Sequence, residues 1–221
     1  MRLYHGSVNI IEKPEYGIGN HKNDYGLGFY CTENIELAKE WACSTGKNGF
    51  VNIYDFDIDN FSICDLTGLN ILNWMAVLLE NRTFNLSEGV AYAARDYILE
   101  NFSIDYKSSD IIKGYRAADS YFAFARDFLN NEISLEDLSV AMKLGKLGEQ
   151  VVVKSQKAFD ALVFHNADFV DSRIHNPKWS NRDKNLSADY QVIKSRSNIV
   201  DGLFVIDIIR QQLKRDDERL R

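Results

Sequence analysis

The sequence is poor in several features, each of which would have fixed a class. Its three cysteines, Cys31, Cys43 and Cys64, are an odd number with no C-x-x-C pair. That excludes a disulfide framework closed on itself and a zinc ribbon, and predicts reduced thiols. Only two prolines, Pro14 and Pro177, interrupt the 221 residues, and no low-complexity tract or internal repeat is visible. No apolar run reaches the roughly eighteen residues of a membrane span, and no apolar h-region follows Met1, so a soluble, unexported, cytoplasmic protein is expected. Positive charge is also scarce: 26 Lys and Arg against 32 Asp and Glu give a formal net charge of -6 and a pI near 5.3. No global basic field pulls such a chain onto nucleic acid or an acidic membrane. His21, His165 and His175 share no metal-ligand spacing, and neither H-x-x-x-H nor H-E-x-x-H occurs, so no metal is expected.

What is present is apolar and aromatic. Hydrophobic residues make up 45% of the chain and aromatics 12%, enough for one good core. Arg2 to His5 reads as a first strand and Gly26 to Thr32 as a second, entered through a Gly26/Gly28 turn. Thr32 or Asn34 caps a helix that runs through Trp41, with Glu33 and Glu36 where the macrodipole favours negative charge. Val51 to Ile58 is strand-like. Leu69, Leu72, Met75, Ala76 and Leu79, and then Ala91, Ala94, Tyr97 and Ile98, recur at helical spacing and predict an inserted helical pair. Helices follow over Ala118 to Leu129 and Leu135 to Leu144, the second with Ser134 and Asp137 in the style of a capping box. Glu149 to Val153 is a dense β-branched strand, followed by a short helix from Lys157 to Leu162. The polar stretch from Asp171 to Tyr190 and a helix from Ile199 to Arg221 read as an appendage. The expected class is α+β, with a domain over residues 1–170, a helical insertion over about 69–146 and an extension over 171–221.

Four short motifs remain. Tyr4-His5-Gly6-Ser7 ends the first strand, and Gly26-Leu27-Gly28-Phe29-Tyr30 forms a glycine turn feeding a tyrosine. Trp41 follows on the next helix, and Glu149-Gln150-Val151-Val152-Val153 opens the late strand. Each alone is ordinary turn or strand chemistry. In this order they resemble the nicotinamide-binding half of the ADP-ribosyltransferases of the diphtheria-toxin and poly(ADP-ribose) polymerase type, across about 150 residues. Asp110-Ile111-Ile112-Lys113-Gly114, with Ala117-Ala118-Asp119, resembles a segment of an uncharacterised bacterial branch of that superfamily.

The resemblance implies a split β-sheet core with inserted helices and NAD as co-substrate, without a metal. It implies release of nicotinamide and transfer of ADP-ribose to a macromolecular acceptor, protein or nucleic acid. A toxin or phage-defence effector, neutralised by a partner antitoxin protein, is the biological setting it suggests. Glycosidic cleavage of NAD builds an oxocarbenium-like charge on the ribose, and a carboxylate beside it gains strength as that charge arrives. Glu149 is the expected carboxylate. Gln150 is the alternative, because neighbouring strand residues face opposite sides and only one can look into the site. Tyr30 and Trp41 would sandwich the nicotinamide ring. His5 would hold a ribose hydroxyl, and Gly6 would let the carboxamide approach. Ser7, Gly28 and Ala38 complete the expected nicotinamide-binding set, Ala38 standing where the family has a small residue against the carboxamide. Leu147 replaces the Glu or Gln of arginine-modifying relatives, which disfavours an arginine acceptor. Asp24 and Asp119 are further residues that could approach the cleft, whereas Asp55, Asp57 and Asp59 read as the solvated side of a strand. An NAD glycohydrolase and a non-catalytic ADP-ribose- or protein-binding module are the alternatives.

Overall fold

Two β-sheets meet where Tyr4 and Thr32 exchange a pair of backbone hydrogen bonds, each 2.9 Å long. The computed structural model describes residues 1–86, 89–117, 119–142, 144, 149–197 and 202–220, leaving aside the side chains of 119–121 and 183. It is a mixed α+β structure. One sheet joins β1 (Arg2–Ser7), β3 (Gly49–Asp55) and β7 (Val163–Val170) in that order, all antiparallel. The other runs β2 (Phe29–Cys31), β6 (Glu149–Val153), β5 (Ile111–Tyr115), β4 (Ile63–Asp65), with β4 and β5 parallel and the remaining pairs antiparallel.

Helix α1 (Ile35–Ala42) is started by Asn34, whose side-chain oxygen accepts from the Glu36 and Leu37 amides at 3.0 and 3.3 Å. Its inner face, with Ala38 and Ala42, packs on Val51 and Ile53 of β3. Helices α2 (Ile71–Asn81) and α3 (Val90–Phe102) bury Trp74, Met75 and Leu78 with Ala94, Ile98 and Phe102 in the larger core, as their periodicity predicts. Helix α4 (Asp119–Leu129) adds Phe124 and Phe128 to that core. Helix α5 (Leu135–Ala141) is capped by Ser134 Oγ, which accepts from the Asp137 amide at 3.1 Å, and α6 (Gln156–Asp160) follows β6.

The sequence reading missed three strands, β4, β5 and β7. Ile111–Tyr115 lies inside the second sheet, so the region from 69 to 146 is not one helical insertion but two helical groups separated by β5. Ile111 and Ile112 bury on opposite faces in different clusters, which erases the alternation expected of a half-exposed strand. β7 is an edge strand with Val163 and Phe169 exposed, and its polar interior carries no pattern either.

The largest correction concerns the supposed appendage. Residues Ser172–Arg196 form a long helix, α7, begun by Asp171, whose carboxylate accepts from the Arg173 amide at 2.9 Å. Leu186 and Tyr190 are buried in the main core, Tyr190 packing on Phe124 with ring centroids 3.8 Å apart and donating to Asp127 Oδ2 at 2.7 Å. The closing helix is short: α8 (Val205–Arg210) ends just before Gln212, whose φ of 54° takes the chain out of helical geometry. Leu213 is buried, and a 3-10 turn over Glu218–Leu220 buries Leu220. Among the described residues, no helix is long and apolar enough to cross a membrane.

Candidate functional site at the seam of the sheets

His5 follows the bridging Tyr4 on β1. Its Nδ1 lies 2.7 Å from the Tyr30 carbonyl oxygen. A carbonyl only accepts, so Nδ1 carries the proton and Nε2 is left as an acceptor. The ring stacks on Phe29 with centroids 4.3 Å apart. Burial lowers the imidazole pKa below its ordinary value, outweighing the opposing effect of the Tyr30 carbonyl, and keeps the ring neutral at pH 7. At Gly6 the strand touches α1 directly: a Cβ there would stand 2.1 Å from the Ala38 carbonyl oxygen and 2.6 Å from the Ala42 nitrogen. This close approach brings Trp41 to the seam.

The glycine turn has its own reasons. Gly26 adopts φ +71°, and a Cβ on Gly28 would meet Val152 Cγ1 at 2.6 Å and the Val153 carbonyl oxygen at 2.9 Å, so β2 can lie on β6 only with glycine there. Tyr30 Oη donates to the Gly26 carbonyl at 2.6 Å and accepts from the Tyr25 amide at 3.0 Å, which fixes the ring. Lys154 braces the turn from behind by donating to the carbonyls of Tyr25, at 2.6 Å, and Leu27. Burial, with a lesser contribution from Lys107, pushes its pKa down to about 8.

The pairing of β6 decides between its two polar residues. Tyr30 lies opposite Val152, so Val152 and Gln150 share the face that carries Tyr30. Val151 and Val153 take the other face, with Leu3 and Cys31, and Glu149 begins that same alternate set. Glu149 is exposed, opposite Tyr115, and does not line the cavity. Gln150 is buried and does. The structure therefore corrects the expected register: the cleft receives an amide at this strand position.

A carboxylate is nevertheless present. Asp24, just before the glycine turn, is buried at the cavity wall, where its Oδ2 accepts from Gln150 Nε2 at 2.9 Å and from the Ala117 amide at 3.0 Å. Arg82 stands 3.3 Å from Oδ1. Burial raises the Asp24 pKa above its ordinary value, and the bonds from Gln150 and Ala117 and the arginine charges oppose that rise. The Gln150 Nε2 also lies 3.4 Å from the Tyr115 carbonyl, so both contacts use its donor end and leave Oε1 as an acceptor.

These side chains share one cavity of about 680 Å³, within the range usual for small-molecule and cofactor sites. His5, Gly6, Gly28, Tyr30, Trp41 and Gln150, all singled out in the sequence, line it. Ser7 and Ala38 do not. The Ser7 hydroxyl accepts from the Asn9 amide at 3.2 Å at the strand end, and Ala38 is buried between α1 and β3. The Arg116 guanidinium lies 4.7 Å over the Trp41 ring, so one indole face is already covered, and the simple sandwich with Tyr30 is modified accordingly. Trp41 Nε1 is buried and has no hydrogen-bond partner among the described residues. Leu147 and the Asp119 side chain lie outside the described residues. Among those described, no group of three His, Cys, Asp or Glu side chains is placed to hold a metal.

Arg82, Arg116 and Trp179 also line the cavity and were missed in the sequence. Arg116 follows the unrecognised β5. Trp179 had a signal: with Leu186, Tyr190 and Ile193 it falls at helical spacing inside the stretch read as polar.

Residues 1–164 match the family model described as "Protein of unknown function (DUF3990)", and the chain belongs to that family. No curated protein and no solved structure matches it.

Proposed function

We propose that the chain is an NAD-dependent ADP-ribosyltransferase that passes ADP-ribose to a macromolecular acceptor. The observation that carries this reading is the convergence of His5, Tyr30, Trp41 and Gln150 with the buried carboxylate of Asp24 on one cavity at the seam of two sheets. A neutral His5, protonated at Nδ1, presents an acceptor suited to a ribose hydroxyl. The fixed Tyr30 ring and the Trp41 indole at the cavity wall suit a flat leaving group. Asp24 supplies negative charge within a buried wall, where a developing ribose cation is stabilised more strongly than in water. In the reaction the bond between nicotinamide and ribose breaks, nicotinamide leaves with the electron pair, and the acceptor's oxygen or nitrogen bonds the sugar carbon and releases its proton. With water as acceptor the same cavity gives an NAD glycohydrolase.

A second reading, a non-catalytic ADP-ribose-binding module, is favoured by two observations: position 150 is an amide, and Asp24 already faces Arg82 at 3.3 Å. Nicotinamide release from NAD by wild type and Asp24→Asn, with and without cell lysate, separates the readings. Release that needs lysate and is lost in the variant supports the transferase, and release without lysate supports the glycohydrolase. No release, with ADP-ribose raising the melting temperature, supports the binding module. No release and no shift with NAD or ADP-ribose sinks all three.

A further inference from the structure

Trp179 belongs to α7, beyond residue 164, where the family match ends, yet it lines the same cavity as His5 and Gln150. It is not there by loose contact. Arg182 donates from Nε and Nη2 to the two carboxylate oxygens of Glu40 on α1, at 2.9 and 2.7 Å, and Glu40 is buried. Asn176 Nδ2 donates to the Cys43 carbonyl at 2.9 Å, and Lys178 stands 3.6 Å from Glu36. These contacts bracket Trp179 and hold it against the end of α1 that supplies Trp41 and Ser44 to the cavity. The half-buried indole of Trp179 thus completes a wall that residues 1–164 leave unfinished.

The cavity then has two chemically distinct parts. The strand side carries His5, Tyr30, Asp24 and Gln150. The helical side carries Trp41 of α1 and Trp179 of α7, and the Arg116 guanidinium reaches from the end of β5 to lie over Trp41 at 4.7 Å. An indole and a guanidinium plane are the surfaces on which a nucleobase stacks, and a nearby cationic group suits the phosphates attached to one.

Building on the NAD reading, we propose that Trp179 is a ligand-binding residue that stacks on the adenine base of the dinucleotide, so that helix α7 determines whether the site takes a dinucleotide or only its nicotinamide half.

Calorimetric binding of NAD, ADP-ribose and nicotinamide mononucleotide to the full chain tests this, with wild type, Trp179→Leu and Trp179→Phe. Leucine keeps apolar bulk without a ring, and phenylalanine keeps a ring. The expected result is a loss of about tenfold or more for NAD and ADP-ribose in Trp179→Leu, the loss usual for one base stack. Nicotinamide mononucleotide, which lacks the adenylate, should change little, and Trp179→Phe should stay near wild type. Equal losses for all three ligands, or no loss for any, overturn the proposal while wild-type binding keeps the NAD reading standing. If Trp179→Leu does not fold, Trp179→Met, which also keeps apolar bulk without a ring, is measured in its place and read by the same outcomes. Wild type that binds none of the three defeats the NAD reading and this proposal together.

Discussion

Gln150 Nε2 donates to Asp24 Oδ2 across 2.9 Å, tying the late strand β6 to the segment that opens the glycine turn. Placing a carboxylate at position 150 replaces that bond with two like charges at contact distance in a buried wall. Gln150→Glu is therefore expected to destabilise the protein, and more at pH 8 than at pH 5, because acid lets one of the two carboxyls take a proton. Melting temperatures at both pH values check this. The exchanged pair Asp24→Asn with Gln150→Glu should recover most of the loss. A Gln150→Glu variant as stable as wild type at pH 8 would mean that the two side chains are not in contact.

His5 makes part of the protein's stability sensitive to acid. The unfolded imidazole takes its proton near its ordinary value of 6.5, and burial delays protonation in the fold to lower pH. Between those two values the unfolded state binds more protons. The stability linked to His5 is thus complete above about pH 6.5 and falls as the pH drops below it. The decline in melting temperature from pH 7 to pH 5 should be shallower in His5→Gln than in wild type, and parallel profiles would mean that the folded imidazole titrates normally.

The fork between Arg182 and Glu40 anchors α7 to α1. Arg182→Ala leaves the buried Glu40 carboxylate without its counter-charge. A loss of about 3 kcal/mol is expected, the low end for breaking a buried pair because the Arg182 side chain keeps 28% exposure. Urea unfolding measures it. Replacing both residues by leucine should recover part of the loss, since no uncompensated charge then remains.

Gly6 marks a contact between backbones that cannot yield locally. In Gly6→Ala the new methyl would fall 2.1 Å from the Ala38 carbonyl oxygen, so α1 has to move as a unit. The expected cost is about 1–3 kcal/mol, as for other overpacked sites. Ligand affinity should weaken as well, because Trp41 moves with the helix. Gly68→Ala, with nothing within 4 Å of the new Cβ, is the matched control in thermal and binding measurements.

Much of this was legible in the sequence, and the failures share a cause. The α1 helix with its Asn34 cap, the α2 and α3 pair and the β-branched β6 all carry local signals that burial on one side reinforces. β5 is buried on both faces and β7 is exposed at an edge, so neither alternates. α7 is covered with polar and charged residues over most of its surface, and its few inward residues, Leu186 and Tyr190 among them, keep helical spacing but are outnumbered by those neighbours. For the site, His5 and Tyr30 could be found from motifs because the glycines near them in sequence are needed by the backbone, and Trp41 from its place on the helix that Gly6 lets approach. Choosing between Glu149 and Gln150 required the register of β6 against β2, which is set by long-range pairing.

The pairing of β2 with β6 and of β3 with β7 spans most of the chain, and this orders events during synthesis. As the chain leaves the ribosome, β1, β2 and β3 emerge first and wait with unsatisfied edges while the helices from α2 to α5 are made and pack locally. Joining such distant segments costs loop-closure entropy before any contact repays it, which slows the final step. Gln150 and then Trp179 are the last walls of the cavity to be translated. An unfinished chain therefore carries the His5 and Tyr30 motifs in a cavity still lacking those walls, and the cavity is complete only when the late strands and α7 close over the early ones.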